Sequence, residues 1–415
     1  MGAWAGRARG AHCGGEVLCL CGDVISGEYR LPADLGPCPA DGLRLRGAAV
    51  LDCLGHTIRG AGDQGDGGAQ VPGVGIVLDS THEATVRDCA VTGFRTGIEF
   101  RDANRNTLLR STVFRNGDSR ARAGYGIHFS RSGENTVSNC TVHGSADEGI
   151  HVGSGSHDNT LVENSLYDNG RENFYVLDAR GTRLLRNRVR GKVSAALYMK
   201  HATASHVEAN QFDDRPVMIL GRSSGNVFVD NRFGAGLKFQ AYGGKADQAA
   251  PTGNVVRGGQ LAGTGSCLSF VDASGNRIET VALSECQRIT AYSERPTRNH
   301  FIGIPLEHIP LDLAGGATLE LLSRVHVQVL GARAAPVSGA RIELRDRTGQ
   351  ASEEPRTDGA GTAELMVPTH VMSAGSLVTL TPVELRLQAD GYAVLETQIG
   401  DPLPPRLDLT LEPAR

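Results

Sequence analysis

The stretch Glu148–Gly170, "EGIHVGSGSHDNTLVENSLYDNG", decides how the rest of the chain is read. It begins with the tetrad "GIHV", in which His151 stands between Ile150 and Val152. An Asn turn and a second alternating segment, "NTLVENSLY", follow. One unit earlier, "GIHF" puts His128 in the same place. Further copies are "GIVL", "GIEF", "NFYV", "ALYM", "PVMI", "GLKF" and "CLSF", spaced 20 to 31 residues apart. Second segments recur as "NTLLRSTVF", "NTVSNCTVH" and "NVFVDNRF". Both segments alternate apolar and polar residues at period two, the mark of strands with one inward and one outward face.

A unit this short cannot bury its own apolar face, so successive units must stack. No segment keeps an apolar 3.6 period over a usual helix length, which disfavours a leucine-rich or helical solenoid. The expected fold is all-β: a single-stranded parallel β-helix with interior ladders of like residues. One ladder is Val86, Leu108, Val137, Leu161, Leu184, Val207 and Phe228. The other is Val91, Val113, Val142, Leu166, Val189, Phe212 and Phe233.

The segments "LRLRGAAVLDCLGHTIRG" and "GIVL…ATVRDCAVTGFRTGIEF" resemble right-handed parallel β-helix repeat proteins. That group includes polysaccharide lyases, uronate C5-epimerases, some glycoside hydrolases and the periplasmic copper-associated NosD proteins. The resemblance covers roughly Cys21 to Leu313 and speaks to fold, since one fold hosts many chemistries. From Ser323 the segments "PVSGARIEL", "TDGAGTAEL" and "ADGYAVLE" resemble a transthyretin-like or carboxypeptidase-regulatory β-sandwich of the Ig-like kind. The expected domains are an N-terminal Cys-rich cap over 1–42, the β-helix over 43–318 and an accessory β-sandwich over 323–415.

Composition fits these expectations. The 415 residues include 54 Gly, only 5% aromatics, and a net charge of −4. A near-neutral chain lacks the basic face of a general nucleic-acid binder. No apolar run reaches the length of a membrane span. The segment "MGAWAGRARGAH" lacks the apolar core of a signal peptide. Cys13, Cys19, Cys21 and Cys38 cluster in the cap. Such clustering in a loop-rich segment suggests disulfides, Cys21–Cys38 first, and an oxidising compartment: secreted, periplasmic or cell-surface. Metal binding by the CxC pair is the alternative. Cys53, Cys89 and Cys140 share a register and read as a buried ladder of free thiols. The odd total of nine leaves at least one thiol unpaired.

If Ile and the fourth residue of each tetrad point inward, the third points out. Aligned coils then make an exposed column: Val77, Glu99, His128, His151, Tyr175, Tyr198, Met218, Lys238 and Ser269. Two residues on runs a second column, Asp79, Arg101, Ser130, Gly153, Leu177, Lys200 and Gln240, with His201 next to Lys200. Long loops, "AGDQGDGGAQVPGVG", "RNGDSRARAGY" and "AYGGKADQAAPTG", are expected to wall this face as a groove. A ladder of polar groups suits an extended glycan, and Arg101, Lys200, His201 and Lys238 suit an anionic one.

His151, Tyr175, Tyr198, Lys200 and His128 are the candidate catalytic residues; Glu99, Arg101, His201 and Lys238 are the candidate substrate-binding residues. His or Tyr would remove the proton beside a uronate carboxylate, and cations would stabilise the enolate. The tyrosines would be ionised through neighbouring Lys or protonated His. The expected function is β-elimination or C5-epimerisation of an anionic polysaccharide. "YGIHF" resembles the Tyr-Gly-x-Asp-Pro-His motif of alginate C5-epimerases without its Asp-Pro.

Three alternatives stand beside it. One is a glycoside hydrolase pairing Glu99 with Asp147 or Glu148, and another a non-catalytic glycan-binding surface protein. The third is a metal site on His128, His151 and Glu99. No cofactor is expected, with calcium or another divalent ion as the alternative. Asp147, Glu148 and Asp178 look too scattered in register for a calcium site like that of pectate lyases.

Overall fold

The computed structural model describes residues 12–64, 73–118, 123–191, 193–242, 249–306, 308–351, 355–400 and 402–414. Parallel strands stack into a right-handed solenoid of about 12 turns, followed by a C-terminal sheet region. Each turn contributes strands to three faces. On the first face Ile98, Ile127, Ile150, Phe174, Leu197, Val217 and Leu237 pair in succession. All are buried. The two interior ladders read from the sequence form the second and third faces in the expected register. A parallel sheet needs its inner face dry, and period-two sequence supplies that with one apolar residue per step.

Corners are held by polar side chains rather than by apolar packing. Asn164, Asn187, Asn210 and Asn231 form a buried ladder in which each Nδ2 donates to the next Oδ1 at 2.9–3.0 Å. Each amide also accepts a backbone N–H of the preceding coil, as Asn187 does from Asn164. A second corner repeats this exchange from Asn106 to Asn159 and from Asn226 to Asn299, so these buried amides are not stranded.

Stacking reaches back into the Cys-rich stretch expected as a cap: His12–Cys13 pairs with Val24–Ile25, which pairs with Arg44–Leu45. Disulfides join Cys13–Cys19, Cys21–Cys38, Cys53–Cys89 and Cys267–Cys286. Cys21–Cys38 is the pair expected. The expected ladder of free thiols is corrected, since Cys53 and Cys89 are bonded. Cys140 stays free because the coil between it and Cys89 carries Ser111, whose hydroxyl accepts from the Cys89 N–H. Burial pushes the Cys140 thiol up to about 12.

At the far end, one long strand, Leu311–Leu330, leaves the solenoid. Its first half pairs in parallel with the last coil, and its second half pairs with Thr362–Ser373 and Arg406–Thr410. A separate three-stranded sheet, Arg341–Arg345, Val383–Gln388 and Leu395–Ile399, packs on it around a second apolar cluster. No helix of the described residues is long and apolar enough to cross a membrane.

Candidate functional site

The outward column of the first face has the register read from the sequence, from Val77 through Glu99, His128, His151, Tyr175, Tyr198, Met218 and Lys238 to Ser269. The expectation that it is exposed is corrected. Val77 is wholly buried, and Glu99 and His151 are only 8% and 7% exposed. The side chains lie outside the apolar core, but they cover one another. Successive rings meet edge to face: His128–His151 at 5.2 Å, His151–Tyr175 at 4.8 Å and Tyr175–Tyr198 at 5.2 Å.

A residue the sequence reading missed completes this packing. Tyr125 lies 4.7 Å from the His128 ring and 4.9 Å from the His151 ring. It belongs to a second column formed by the residue before the tetrads of three successive coils. Tyr125, Glu148 and Glu172 stack there through backbone bonds, Gly126 N–H to Glu148 and Gly149 N–H to Glu172. The cause is local. A Cβ on Gly126 would meet Val142 Cγ1 at 2.5 Å, so this position faces the interior beside Ile127. Two consecutive inward positions break the alternation and turn the preceding residue outward, beside the histidines. The legible signal was Tyr125, Glu148 and Glu172, each directly before the tetrad of one of three successive coils.

Glu148 Oε2 lies 3.7 Å from His151 Nδ1, just beyond hydrogen-bond reach. Both atoms are buried without another hydrogen-bond partner. Arg171 bridges the acids, with contacts of 3.3 Å to Asp147, 3.4 Å to Glu148 and 3.6 Å to Glu172. Of the three carboxylates expected to be scattered, Asp147 and Glu148 face the same Arg171, where Glu172 joins them. Asp178 lies apart, taking a 3.3 Å bond from Ser154.

These acids differ in proton affinity. Burial pushes Glu172 up to about 7, only partly offset by Arg171. Burial and the charge of Glu148 push Asp147 up to about 6. Burial also raises Glu148, but His151 and Arg171 outweigh it and hold that carboxyl below its usual range. Glu99 is likewise raised by burial, yet held low by His128 at 3.4 Å and Arg101 at 2.6 Å. The expected easy ionisation of the tyrosines is reversed. Burial, then Tyr198, Glu148 and Glu172, raise the Tyr175 phenol. Burial and Glu172 raise that of Tyr198.

The remaining expected residues lie further along the face. Lys200 pairs in register with Leu177 and Leu220, and its Nζ sits 3.5 Å from the centre of the Tyr242 ring. It therefore has no contact that would ionise Tyr175. His201 Nδ1 accepts a 2.9 Å bond from the Arg222 backbone. Lys238 is half-buried two coils beyond Tyr198. The three long loops expected as walls fall partly outside the described residues, at 65–72, 119–122 and 243–248.

A family model described as periplasmic copper-binding protein (NosD) matches residues 57–249. No curated protein matches the chain. Among solved structures, the chain is similar to a DFA-IIIase of Arthrobacter chlorophenolicus bound to DFA-III, at 10% identity and TM-score 0.44, over 74% of this chain and 87% of that one. It is similar to the A-module of an Azotobacter vinelandii mannuronan C-5 epimerase at 15% identity and TM-score 0.39, over 71% and 86%. A tailspike protein of E. coli bacteriophage HK620 bound to a pentasaccharide gives 11% identity and TM-score 0.42, over 90% and 82%. The periplasmic family match and the four disulfides fit an extracytoplasmic location.

Among the described residues the side chains do not gather as a copper centre. Soft thiolate or clustered imidazole ligands are needed. Eight cysteines are in disulfides and Cys140 is buried. The His128 and His151 Nδ1 atoms each face a glutamate. Among the described residues no group of three His, Cys, Asp or Glu could hold a metal ion.

Proposed function

We propose that the protein is an extracytoplasmic carbohydrate-active enzyme that removes the proton beside the carboxylate of a uronate in an extended polysaccharide, giving β-elimination or C5-epimerisation. The observation that carries this reading is the line Glu148, His151, Tyr175. A proton on His151 Nδ1 faces the buried Glu148 carboxylate, so that tautomer is favoured and Nε2 is left as proton acceptor. Tyr175 is kept as the neutral phenol, which makes it a donor rather than a base. His151 therefore takes the proton, and Tyr175 returns one to the opposite face of the sugar or to the leaving oxygen. Arg171 is the half-exposed cation nearest this pair, placed to face the carboxylate as charge builds on it. The C-terminal sheets, which the sequence likens to a transthyretin-like module, serve as an accessory unit.

A second reading rests on a different observation. Glu172 is pushed up to about 7 while Glu148 on the adjoining coil stays ionised. Two acids with proton affinities driven apart are what a glycoside hydrolase uses. Glu148 and Glu172 would then replace the pair Glu99 with Asp147 or Glu148.

Incubation with alginate, polygalacturonate and neutral glycans separates these readings. Unsaturated products together with new reducing ends identify a lyase. Reducing ends alone identify the hydrolase. Proton exchange at C5 without chain cleavage, read by NMR in heavy water, identifies an epimerase. Binding without any of the three leaves a non-catalytic glycan-binding protein and refutes the enzyme.

A further inference from the structure

Charge is distributed unevenly along the first face. At the His151 end Arg101 pairs with Glu99 and Arg171 with three acids. At the other end Lys200 and Lys238 are half-buried, and neither has an ion pair among the described residues. The Lys200 ammonium rests against the Tyr242 ring at 3.5 Å. Taking a cation partly out of water without a counter-ion is unfavourable, and a bound anion relieves it.

The surroundings add specific contacts. Tyr242 is 44% exposed, so its ring offers an open aromatic surface beside the ammonium. His201 lies 6.1 Å from that ring. Its Nδ1 is taken up by the Arg222 N–H, so its proton sits on Nε2, which is a donor. Burial and then the neighbouring cations Lys200 and Arg222 keep its affinity for a second proton low, with Asp178 opposing them. Together these groups supply an aromatic face for the apolar side of a pyranose, a donor for a hydroxyl, and an ammonium for a carboxylate.

Resting on the reading of this face as a glycan site, we propose that Tyr242, Lys200 and His201, extended by Lys238, form a separate subsite for a non-reacting uronate. Lys200 lies in the coil of Tyr198, two coils or roughly 10 Å from that of His151. One sugar ring cannot place its carboxylate at Lys200 and its reacting carbon at His151. The unit held by Lys200 is therefore a neighbour in the same chain. Specificity for acidic polymer is set here, apart from the chemistry.

Binding of polygalacturonate and of alginate to the full chain, measured by titration calorimetry without reference to turnover, tests this. Sulfated carrageenan and neutral dextran are run in parallel. Lys200→Ala and Tyr242→Ala should each weaken uronate binding tenfold or more. Lys200→Gln, which keeps the volume, should do the same, and its melting curve should match that of the unaltered protein. Lys238→Ala should weaken binding less, and His143→Ala, on a different face of the solenoid, should leave it within a factor of about two. Unaltered uronate binding by folded Lys200→Gln and Tyr242→Ala overturns the subsite and leaves the proposed reaction standing. Absence of acidic-glycan binding by the unaltered protein overturns both. Equal binding of carrageenan overturns the assignment to uronate.

Discussion

The solenoid carries two outward ladders of His and aromatic residues, and they are built differently. On the third face Phe114, His143, Tyr167 and Arg190 pair in register. Their rings stack almost parallel, at 14° and 6°, and Arg190 caps the Tyr167 ring at 4.9 Å. On the first face the His151–Tyr175 and Tyr175–Tyr198 rings meet at 61° and 79°. Parallel stacking spends each ring face on its neighbour. The third-face column also has no carboxylate within ion-pair distance of His143 among the described residues. The first-face column lies beside Glu148 and Glu172, whose charges add to burial in raising the Tyr175 phenol. A ladder of rings by itself is packing; a flanking column of acids changes the proton affinities around it.

The sharpest way to break this contrast is to remove one imidazole from each ladder. His151→Ala should lower turnover by about 10²–10⁴, the usual cost of losing a general base. His143→Ala should leave turnover unchanged. Rates on whichever polysaccharide is converted decide it, and equal effects of the two substitutions would abolish the distinction. Glu148→Gln tests whether the flanking acids matter. It keeps shape but removes the charge facing Nδ1, and turnover should drop by about a hundredfold. The acid limb of the pH–rate profile should move with it, which a purely structural role would not produce.

Stability separates the ladders less steeply. Glu172 has its affinity raised in the folded state from an ordinary 4.5 to about 7. The stability this contributes is present below 4.5 and is lost as pH rises through 7. Glu172→Gln has no such loss. Relative to the unaltered protein it should gain on the order of 2–3 kcal/mol between about pH 4 and about pH 8. Denaturation midpoints at both pH values measure this, and a pH-independent difference would refute it. The smallest effect belongs to the stacked ladder. Tyr167→Ala should cost about 1 kcal/mol beyond its lost buried area, with no change in rate. A double-mutant cycle with His143 reads that coupling.

Sequence alone determined the parts that depend on parity. Ile150 and Val152 are apolar, so His151 had to point out, and its column from Val77 to Ser269 followed because coils align like with like. Interior ladders were legible on the same grounds, and the pairing of Cys21 with Cys38 from the clustering of cysteines in a loop-rich segment. What escaped lies where parity fails. At Gly126 and Gly149 the chain turns a corner, and Tyr125 and Glu148 swing to the side of the histidines. Period-two reading assigns them to the other side, because it carries no information about corners. Cys53–Cys89 was hidden for a related reason: a shared column does not say which members occupy adjoining coils, and Ser111 intervenes before Cys140.

Only the tertiary structure decided the electrostatics. The sequence places Tyr175 and Tyr198 in a row with Lys200 two positions away, but not the direction in which that lysine reaches. Its ammonium turns to Tyr242, and the phenols are raised by burial first and by neighbouring acids after it. Spacing along the chain sets which groups exist on a face. Proton affinity depends on burial and on distances of a few ångströms across coils, and those exist only once the coils are stacked.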